Sequence, residues 1–249
     1  MKVLTAIPVY NEERHLDAVL HEVRRFCPNL LVVNDGSTDR TAELLAGQEG
    51  LAVITHEQNR GYGAALISAF EYVVASAYDV LVTMDCDGQH EPARIAVLLE
   101  ALHDADIVSG SRYLRDFRQQ VLPTPPDRRL INQTITSELN QTLGLKLTDA
   151  FCGFKAYRRE ALAQLRVTET GWGMPLQLWV QAARLGLRIK EIGVPRIYLD
   201  PTRTFGLLND ASERLAYYRR VIEEALASCT VARPQHAGCF APVTCRSCP

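Results

Sequence analysis

An open α/β fold on a mainly parallel, doubly wound sheet is what this sequence predicts, and two observations carry the prediction. Short apolar, β-branched runs alternate with amphipathic helical stretches, the pattern of strand and crossover helix. Polar clusters stand at the exits of these runs: Tyr10-Asn11-Glu12, Asp35-Gly36, and Asp85-Cys86-Asp87. Carboxylates gathered at one edge of a sheet serve stability poorly. In open α/β sheets the carboxyl ends of the strands are where ligands collect.

Val3–Val9 reads as the first strand, with Pro8 at its exit, and a helix follows from Asn11-Glu12-Glu13 with an apolar face of Leu16, Val19, Leu20, Val23 and Phe26. Leu30–Val33 is the second strand. It runs into Asn34-Asp35-Gly36-Ser37-Thr38-Asp39, where Ser37 or Asp39 can cap a helix through Thr41–Ala46. Leu51–Thr55 is the third strand, and Asn59-Arg60-Gly61-Tyr62-Gly63 introduces a long helix over Ala64–Ser76. Tyr78–Thr83 is the fourth strand, delivering Met84-Asp85-Cys86-Asp87-Gly88-Gln89-His90. Glu91 and Pro92 then open the next helix, through Leu102. Asp106–Ser109 is a fifth strand. Residues 115–127, with Pro123, Pro125 and Pro126, lack periodicity and read as a loop. A helix opens at Arg128-Arg129 and carries Ile131, Ile135, Leu139 and Leu143. Another follows Trp172-Gly173-Met174-Pro175, Ile189–Val194 is the last strand, and an amphipathic helix spans Asn209–Leu226.

The Asp85 loop is the chemical centre. Two Asp one residue apart, with Gln89 two further on, offer hard oxygen donors from one short segment. That set suits Mg²⁺ or Mn²⁺ bridging nucleotide phosphates, because such ions keep few protein ligands and complete their shell from substrate and water. A solvated acidic turn capping the next helix is the plainer alternative. Arg112, at the exit of the fifth strand, can meet a phosphate bidentately, the plainer alternative being a surface ion pair. Asp149 can take a proton from an acceptor hydroxyl, or support the site when the acceptor is already ionised. Phe151-Cys152-Gly153-Phe154 can bring backbone close to a sugar.

Composition limits the partners. The chain has 249 residues, 47% of them apolar and 22% charged, enough for a sizeable core. A net charge of −2 gives no electrostatic reason to expect nucleic acid. The longest apolar region, Ala64–Val82, is interrupted by Glu71 and Asp79, so no stretch reads as a membrane span. With no charged leader before the first strand, the expectation is a cytoplasmic protein, peripheral at a membrane surface if its acceptor is a lipid. Of seven cysteines, Cys27, Cys86 and Cys152 are scattered, while Cys229, Cys239, Cys245 and Cys248 crowd the last stretch beside His236. That tail can close a tetrahedral zinc site or remain a tail of free thiols.

The motifs Ile7-Pro8-Val9-Tyr10-Asn11-Glu12-Glu13, Val33-Asn34-Asp35-Gly36-Ser37-Thr38-Asp39, Asn59-Arg60-Gly61-Tyr62-Gly63 and Met84–His90 stand in an order and spacing that resemble family 2 glycosyltransferases. Gly110-Ser111-Arg112-Tyr113 and Asp149–Lys155 resemble later motifs of the dolichyl-phosphate mannose synthase-like branch. The resemblance spans about residues 1 to 227 and implies a GT-A fold. Its nucleotide-sugar half would cover about 1–111 and its acceptor half about 112–227, with 228–249 a Cys-rich tail outside it. It implies an inverting, metal-dependent glycosyltransferase that moves a sugar from a nucleotide-diphosphate sugar to an acceptor such as a polyprenyl phosphate.

By that resemblance Pro8, Tyr10, Glu12 and Asp35 contact base and ribose, within a nucleotide-binding set that includes Asn11, Gly36, Gly61, Gly63, Asp85 and Cys86. Asp85, Asp87 and Gln89 hold the metal, and Asp87, Asp149, Arg112 and Arg203 are the catalytic candidates. Two departures stand out. Gln177 occupies a position where many relatives carry Glu, which removes any acid or base duty there. Leu207-Leu208 replaces the usual Ser-Lys after Gly206, leaving closure over the diphosphate to Arg203. A sugar nucleotidyltransferase and a catalytically silent nucleotide-sugar module are the rivals. The first strand lacks the Gly-rich basic loop that a nucleoside triphosphate requires. The final helix packs on the core, pairs with a second copy as a homodimer, or rests on a membrane.

Overall fold

Alternating side chains in the first strand, β1 (Val3–Val9), send Leu4 and Ala6 into one core and Ile7 and Val9 into another. β2 (Leu30–Asn34) repeats the division, Leu31 and Val33 against Leu30 and Val32. Helices therefore cover both faces. The computed structural model describes residues 1–114, 126–197 and 209–228. With β3 (Ala52–Thr55), β4 (Val80–Thr83), β5 (Ile107–Ser111), β6 (Lys155–Arg158) and β7 (Ile189–Gly193), the strands form one seven-stranded sheet in the order β3-β2-β1-β4-β6-β5-β7. Every pairing is parallel except those of β6, which runs antiparallel to both β4 and β5.

One face carries α3 (Tyr62–Ala75), α5 (Pro126–Leu143), α7 (Met174–Arg184) and α8 (Ala211–Ser228), with Phe70, Ile135, Trp179 and Ile222 in its core. The other carries α1 (Leu16–Arg24), α2 (Thr41–Ala46) and α4 (Ile95–Ala101), with Leu20, Leu45 and Leu98 buried. A further short helix, α6 (Arg159–Leu162), follows β6. The final helix buries Tyr218, Val221, Ile222 and Ala225 against this core, while Arg219, Arg220, Glu223 and Glu224 stay exposed. Core packing is thus its role within the chain. None of the described helices is long and apolar enough to cross a membrane.

Pro8 lies inside β1 rather than at its end, and the ladder explains why it is tolerated. Thr5 donates toward β2 and Ala6 accepts from Met84, so Pro8 faces the β4 side, one rung beyond the last bond to that strand. No ladder hydrogen bond is lost. The first helix begins at Leu16, later than the sequence suggests, because residues 11–15 form a loop that bonds to the segment after β2. It ends at Arg24, so Phe26 is left 41% exposed and Cys27 takes the core position. Neither Ser37 nor Asp39 is the N-cap of α2, which is Arg40 without a side-chain cap bond; Asp39 Oδ1 instead accepts the Thr41 N–H at 2.9 Å from one residue further out, and Ser37 Oγ accepts from Asn11 N–H. The helix with Ile131 and Ile135 begins at Pro126, two residues before Arg128.

Candidate active site

The loops after β1, β2, β4 and β5 and the segment before β6 meet over the carboxyl ends of the parallel strands and enclose a cleft of about 940 Å³. Its described lining joins Pro8, Tyr10, Asn11, Glu12, Gly61, Asp35, Asp85, Cys86, Asp87 and Gln89 with Arg112, Arg128, Phe151, Trp172, Arg214 and Tyr218. Most of the residues singled out from the sequence therefore converge on one space. Gly36, Gly63 and Asp149 are not among the lining residues. They stand behind it.

At the β1 exit, Asn11 adopts a left-handed backbone, φ 56°, so that its Oδ1 accepts the N–H groups of Thr38 at 2.8 Å and Asp39 at 3.3 Å. Glu12 donates its N–H to Thr41 Oγ1 at 2.9 Å, and its Oε2 lies 3.0 Å from His15 Nδ1. These bonds clasp the β1 loop to the β2 loop and leave the Tyr10 ring 44% exposed on the cleft wall.

Asp35 is buried and heavily engaged. Its carboxylate accepts the N–H groups of Arg60 at 3.0 Å and Gly61 at 2.8 Å, with His56 Nδ1 at 2.6 Å; Ser68 Oγ lies 2.8 Å from His56 Nε2. It anchors the Asn59–Gly61 turn. Gly36, at φ 68°, allows that approach: a Cβ there would sit 2.3 Å from the Gln58 carbonyl carbon. Gly63 likewise presses on the Glu169 carbonyl, where a Cβ would lie at 2.4 Å. Gln177 braces the same segment, its Oε1 accepting the N–H groups of Thr168 and Glu169 at 2.7 and 2.8 Å.

In the Asp85 loop, Tyr62 Oη donates to Asp85 Oδ1 at 3.0 Å, and the Tyr62 ring stacks on Trp172 with centroids 5.0 Å apart. Burial, then the Asp85 charge, raises the Tyr62 phenol well above its ordinary range, so it remains a donor. The Asp85 N–H donates to His90 Nδ1 at 3.2 Å, and the His90 ring stacks on Phe154. Gly88, at φ 71°, turns the chain so that the Gln89 N–H reaches Asp87 Oδ1 at 3.1 Å. Cys86 is buried between the two acids. Asp85, Asp87 and Gln89 all line the cleft, and their hard oxygens fit a divalent cation that draws its remaining ligands from a diphosphate. Among the described residues no group of three His, Cys, Asp or Glu side chains is assembled to hold a metal by itself.

Arg112, on the lining of the same cleft, forms a bidentate pair with Asp149: Nε donates to Oδ2 at 2.6 Å and Nη2 to Oδ1 at 2.9 Å. Asp149 also accepts from the backbone N–H groups of Arg112 and Phe151 and from Asn132 Nδ2 at 2.7 Å. Burial alone would push its carboxyl up, but the charge and donors of Arg112, with Asn132, outweigh burial and hold it below the usual carboxylate range. Lys155 is buried beneath, donating to the Cys152 carbonyl with its Nζ 5.4 Å from the Trp179 ring centroid, and burial lowers its pKa.

The sequence points to no functional role for Tyr62, His90, Trp172, Asn132, Arg214 and Tyr218, and it offers Gly153 only as a place for backbone to approach a sugar. Tyr62 and His90 sit within motifs that point to the site, whereas Arg214 and Tyr218 reach it from a helix whose periodicity signals only packing. Arg203, the 115–125 part of the proline-rich loop and the Cys-rich tail lie outside the described residues.

The family model for glycosyl transferase family 2 matches residues 5–166. The chain belongs to that family. It is similar to an undecaprenyl-phosphate mannosyltransferase of Micrococcus luteus, 36% identical over 203 residues that cover 78% of this chain and 83% of the relative. A polyprenol monophosphomannose synthase of Mycolicibacterium smegmatis is 32% identical over 204 residues, covering 78% and 76%. These relatives place it in the dolichyl-phosphate mannose synthase-like branch, as a glycosyltransferase. Glucosyl-3-phosphoglycerate synthase from Mycobacterium tuberculosis, solved with Mn²⁺, UDP-glucose and phosphoglyceric acid, superposes with a TM-score of 0.70. The match covers 91% of this chain and 80% of that one, at 22% identity, and shows the shared GT-A fold.

Proposed function

We propose that this family 2 glycosyltransferase moves a hexosyl group, mannose by analogy with its relatives, from a nucleotide-diphosphate sugar to a polyprenyl phosphate, with inversion. The observation that carries this reading is one cleft lined by two chemically different sets of groups. One set is Asp85, Asp87 and Gln89; the other is Arg112, Arg128 and Arg214 with Phe151, Trp172 and Tyr218. A divalent cation suits the first, an anionic headgroup on an apolar chain the second.

Residues 1–111 would then hold the donor, with Tyr10 presenting its ring to the base while Asn11, Glu12 and Asp35 keep the surrounding loops in place. Asp85, Asp87 and Gln89 would hold Mg²⁺ or Mn²⁺, which when bound neutralises the charge that builds on the departing diphosphate. Arg112 would orient the acceptor phosphate. An ionised phosphate needs no general base, and Asp149, already saturated by donors, serves as the support of Arg112 rather than as a proton acceptor. Arg203 would supply a further phosphate contact. Because such an acceptor resides in a bilayer, the protein would work at a membrane face.

The test is transfer from a panel of nucleotide sugars to a polyprenyl phosphate in detergent, with and without Mn²⁺, using wild type and Asp87→Asn. Metal-dependent transfer that Asp87→Asn abolishes while the fold is kept is expected, because Asn retains the shape but loses the charge that holds the cation. Transfer only to a water-soluble phosphate would overturn the acceptor. Full activity of Asp87→Asn would overturn the metal site.

A further inference from the structure

We infer that Glu191, on β7, is a positioning residue for transfer: its carboxylate terminates two hydrogen-bond chains that fix Arg112 from both sides. The inference rests on the reading that Arg112 meets a phosphate.

The first chain is direct. Glu191 Oε1 accepts the Asp149 N–H at 3.0 Å, and Oε2 accepts the Thr148 N–H at 2.8 Å. The backbone that carries Asp149 is therefore gripped at two successive amides, and Asp149 in turn holds the Arg112 guanidinium. The second chain runs through hydroxyls. The N–H groups of Tyr113 and Leu114 donate to Ser111 Oγ at 3.2 and 3.1 Å. Ser111 Oγ stands 2.5 Å from Thr148 Oγ1, and the Thr148 hydroxyl donates to Glu191 Oε2 at 2.8 Å. Since a carboxylate only accepts, the direction of the chain is set: Ser111 donates to Thr148, Thr148 to Glu191. The turn that carries Arg112 and the segment that carries its partner are thus referenced to one side chain.

That side chain is expensively placed. Burial raises the Glu191 carboxyl above its ordinary range, and the neighbouring Asp149 carboxylate adds to the push. A residue chosen for stability alone would not set two carboxylates beside one backbone segment. Glu191 itself is not among the described residues lining the cleft, so its effect on transfer is exerted through Asp149 and Arg112.

Glu191→Gln is the discriminating variant. Whichever way the amide turns, its NH₂ faces a backbone N–H, of Asp149 or of Thr148, and one grip is lost. Thr148→Val is the companion, since it cuts the hydroxyl chain while leaving Glu191 intact. The activity-independent readout is the Arg112 Nε–H resonance in ¹⁵N-labelled full-length protein, assigned by its loss in Arg112→Lys. In wild type it should be sharp and slow to exchange. In Glu191→Gln and in Thr148→Val it should shift or broaden with nucleotide-diphosphate binding close to wild type, and Glu191→Gln, which leaves a backbone N–H unmet, should melt a few degrees lower. In transfer assays, Glu191→Gln should lower kcat about tenfold, and the double variant with Arg112→Lys should be no slower than Arg112→Lys alone, because residues acting through one another are non-additive. An unmoved Arg112 signal in both variants, or multiplicative losses in the double variant, would overturn the inference. If wild type transfers nothing to a polyprenyl phosphate, the functional reading falls, and the Arg112 signal alone decides the role of Glu191.

Discussion

Gly153 stands so close to the Asp85 carboxylate that a Cβ on it would lie 2.5 Å from Oδ2 and 2.8 Å from Oδ1. The same methyl would lie 2.8 Å from Tyr62 Oη, the donor that orients Asp85. Gly153 is therefore the wall against which the first acid of the Asp85 loop is set. Forcing a methyl into a filled site costs roughly 1–3 kcal/mol. Gly153→Ala should remain folded, because the adjoining carboxylate can swing toward the cleft. Its metal-dependent affinity for nucleotide sugar should fall about tenfold, by the conversion of 1.4 kcal/mol per decade. Calorimetry with and without Mn²⁺ checks this, and wild-type affinity in the variant would mean that Asp85 has no fixed pose to lose.

On the proposed reading Asp35 acts on the nucleotide through the loop that it anchors. In Asp35→Asn one amide orientation faces the Arg60 N–H and the other the Gly61 N–H, so a buried donor goes unmet in either. Such a loss costs about 1–3 kcal/mol, which lowers the melting midpoint by roughly 2–4 °C per kcal/mol in a chain of this size. Nucleotide affinity should weaken with it, while the metal dependence of what binding remains is unchanged. A variant that melts with wild type yet fails to bind nucleotide would show the carboxylate acting on the base instead of the loop.

The Arg112–Asp149 pair has a pH signature with a definite sign. The Asp149 carboxyl is held below its ordinary value, so the stability it contributes is complete above the unfolded pKa, about 4. It is lost as pH falls below that, through the lower folded value. Removing one partner of a buried pair costs about 3–5 kcal/mol. Asp149→Asn should therefore melt well below wild type from pH 7 down to about 5, and the gap should narrow only in more acidic solution. The narrowing is read from melting curves of both proteins at each pH. A gap that already closes near pH 6 would contradict the geometry, and so would a kcat profile with an inflection there that Asp149→Asn removes.

The sequence made some parts of this molecule plain for physical reasons and hid others. β1, β2 and β4 are buried on both faces, so their apolar runs are nearly continuous and the parallel sheet follows. β6 was not visible: Lys155-Ala156-Tyr157-Arg158 carries a charge at each end. Lys155 is buried only because the Cys152 carbonyl and the Trp179 ring receive its ammonium, a tertiary circumstance without local signal. The antiparallel strand in the middle of the sheet therefore came from the structure. The loop residues of the site were legible because strand exits are where such chemistry gathers. The contacts among Tyr62, Asp85 and Gly153 were not, since each comes from a different crossover and no spacing links them.

Tyr62 offers a way to separate the orientation of Asp85 from the packing beneath it. Its hydroxyl donates to Asp85 Oδ1 at 3.0 Å, whereas its ring stacks on Trp172 at 5.0 Å between centroids. Tyr62→Phe removes only the first. A hydrogen bond to a charged group contributes roughly 1.5–3 kcal/mol. Here that energy holds a carboxylate in pose, so its loss should appear in ligand binding before it appears in stability. We expect the Phe variant to melt within a few degrees of wild type and to bind nucleotide sugar about tenfold more weakly in the presence of Mn²⁺, a difference of about 1.4 kcal/mol. Without metal the two proteins should bind alike, because the hydroxyl acts on the acid and not on the nucleotide. Tyr62→Ala, which also forfeits the stack, should lose stability as well as affinity. Equal metal-dependent binding by Phe variant and wild type would show that Asp85 is oriented by Gly153 and the loop backbone alone.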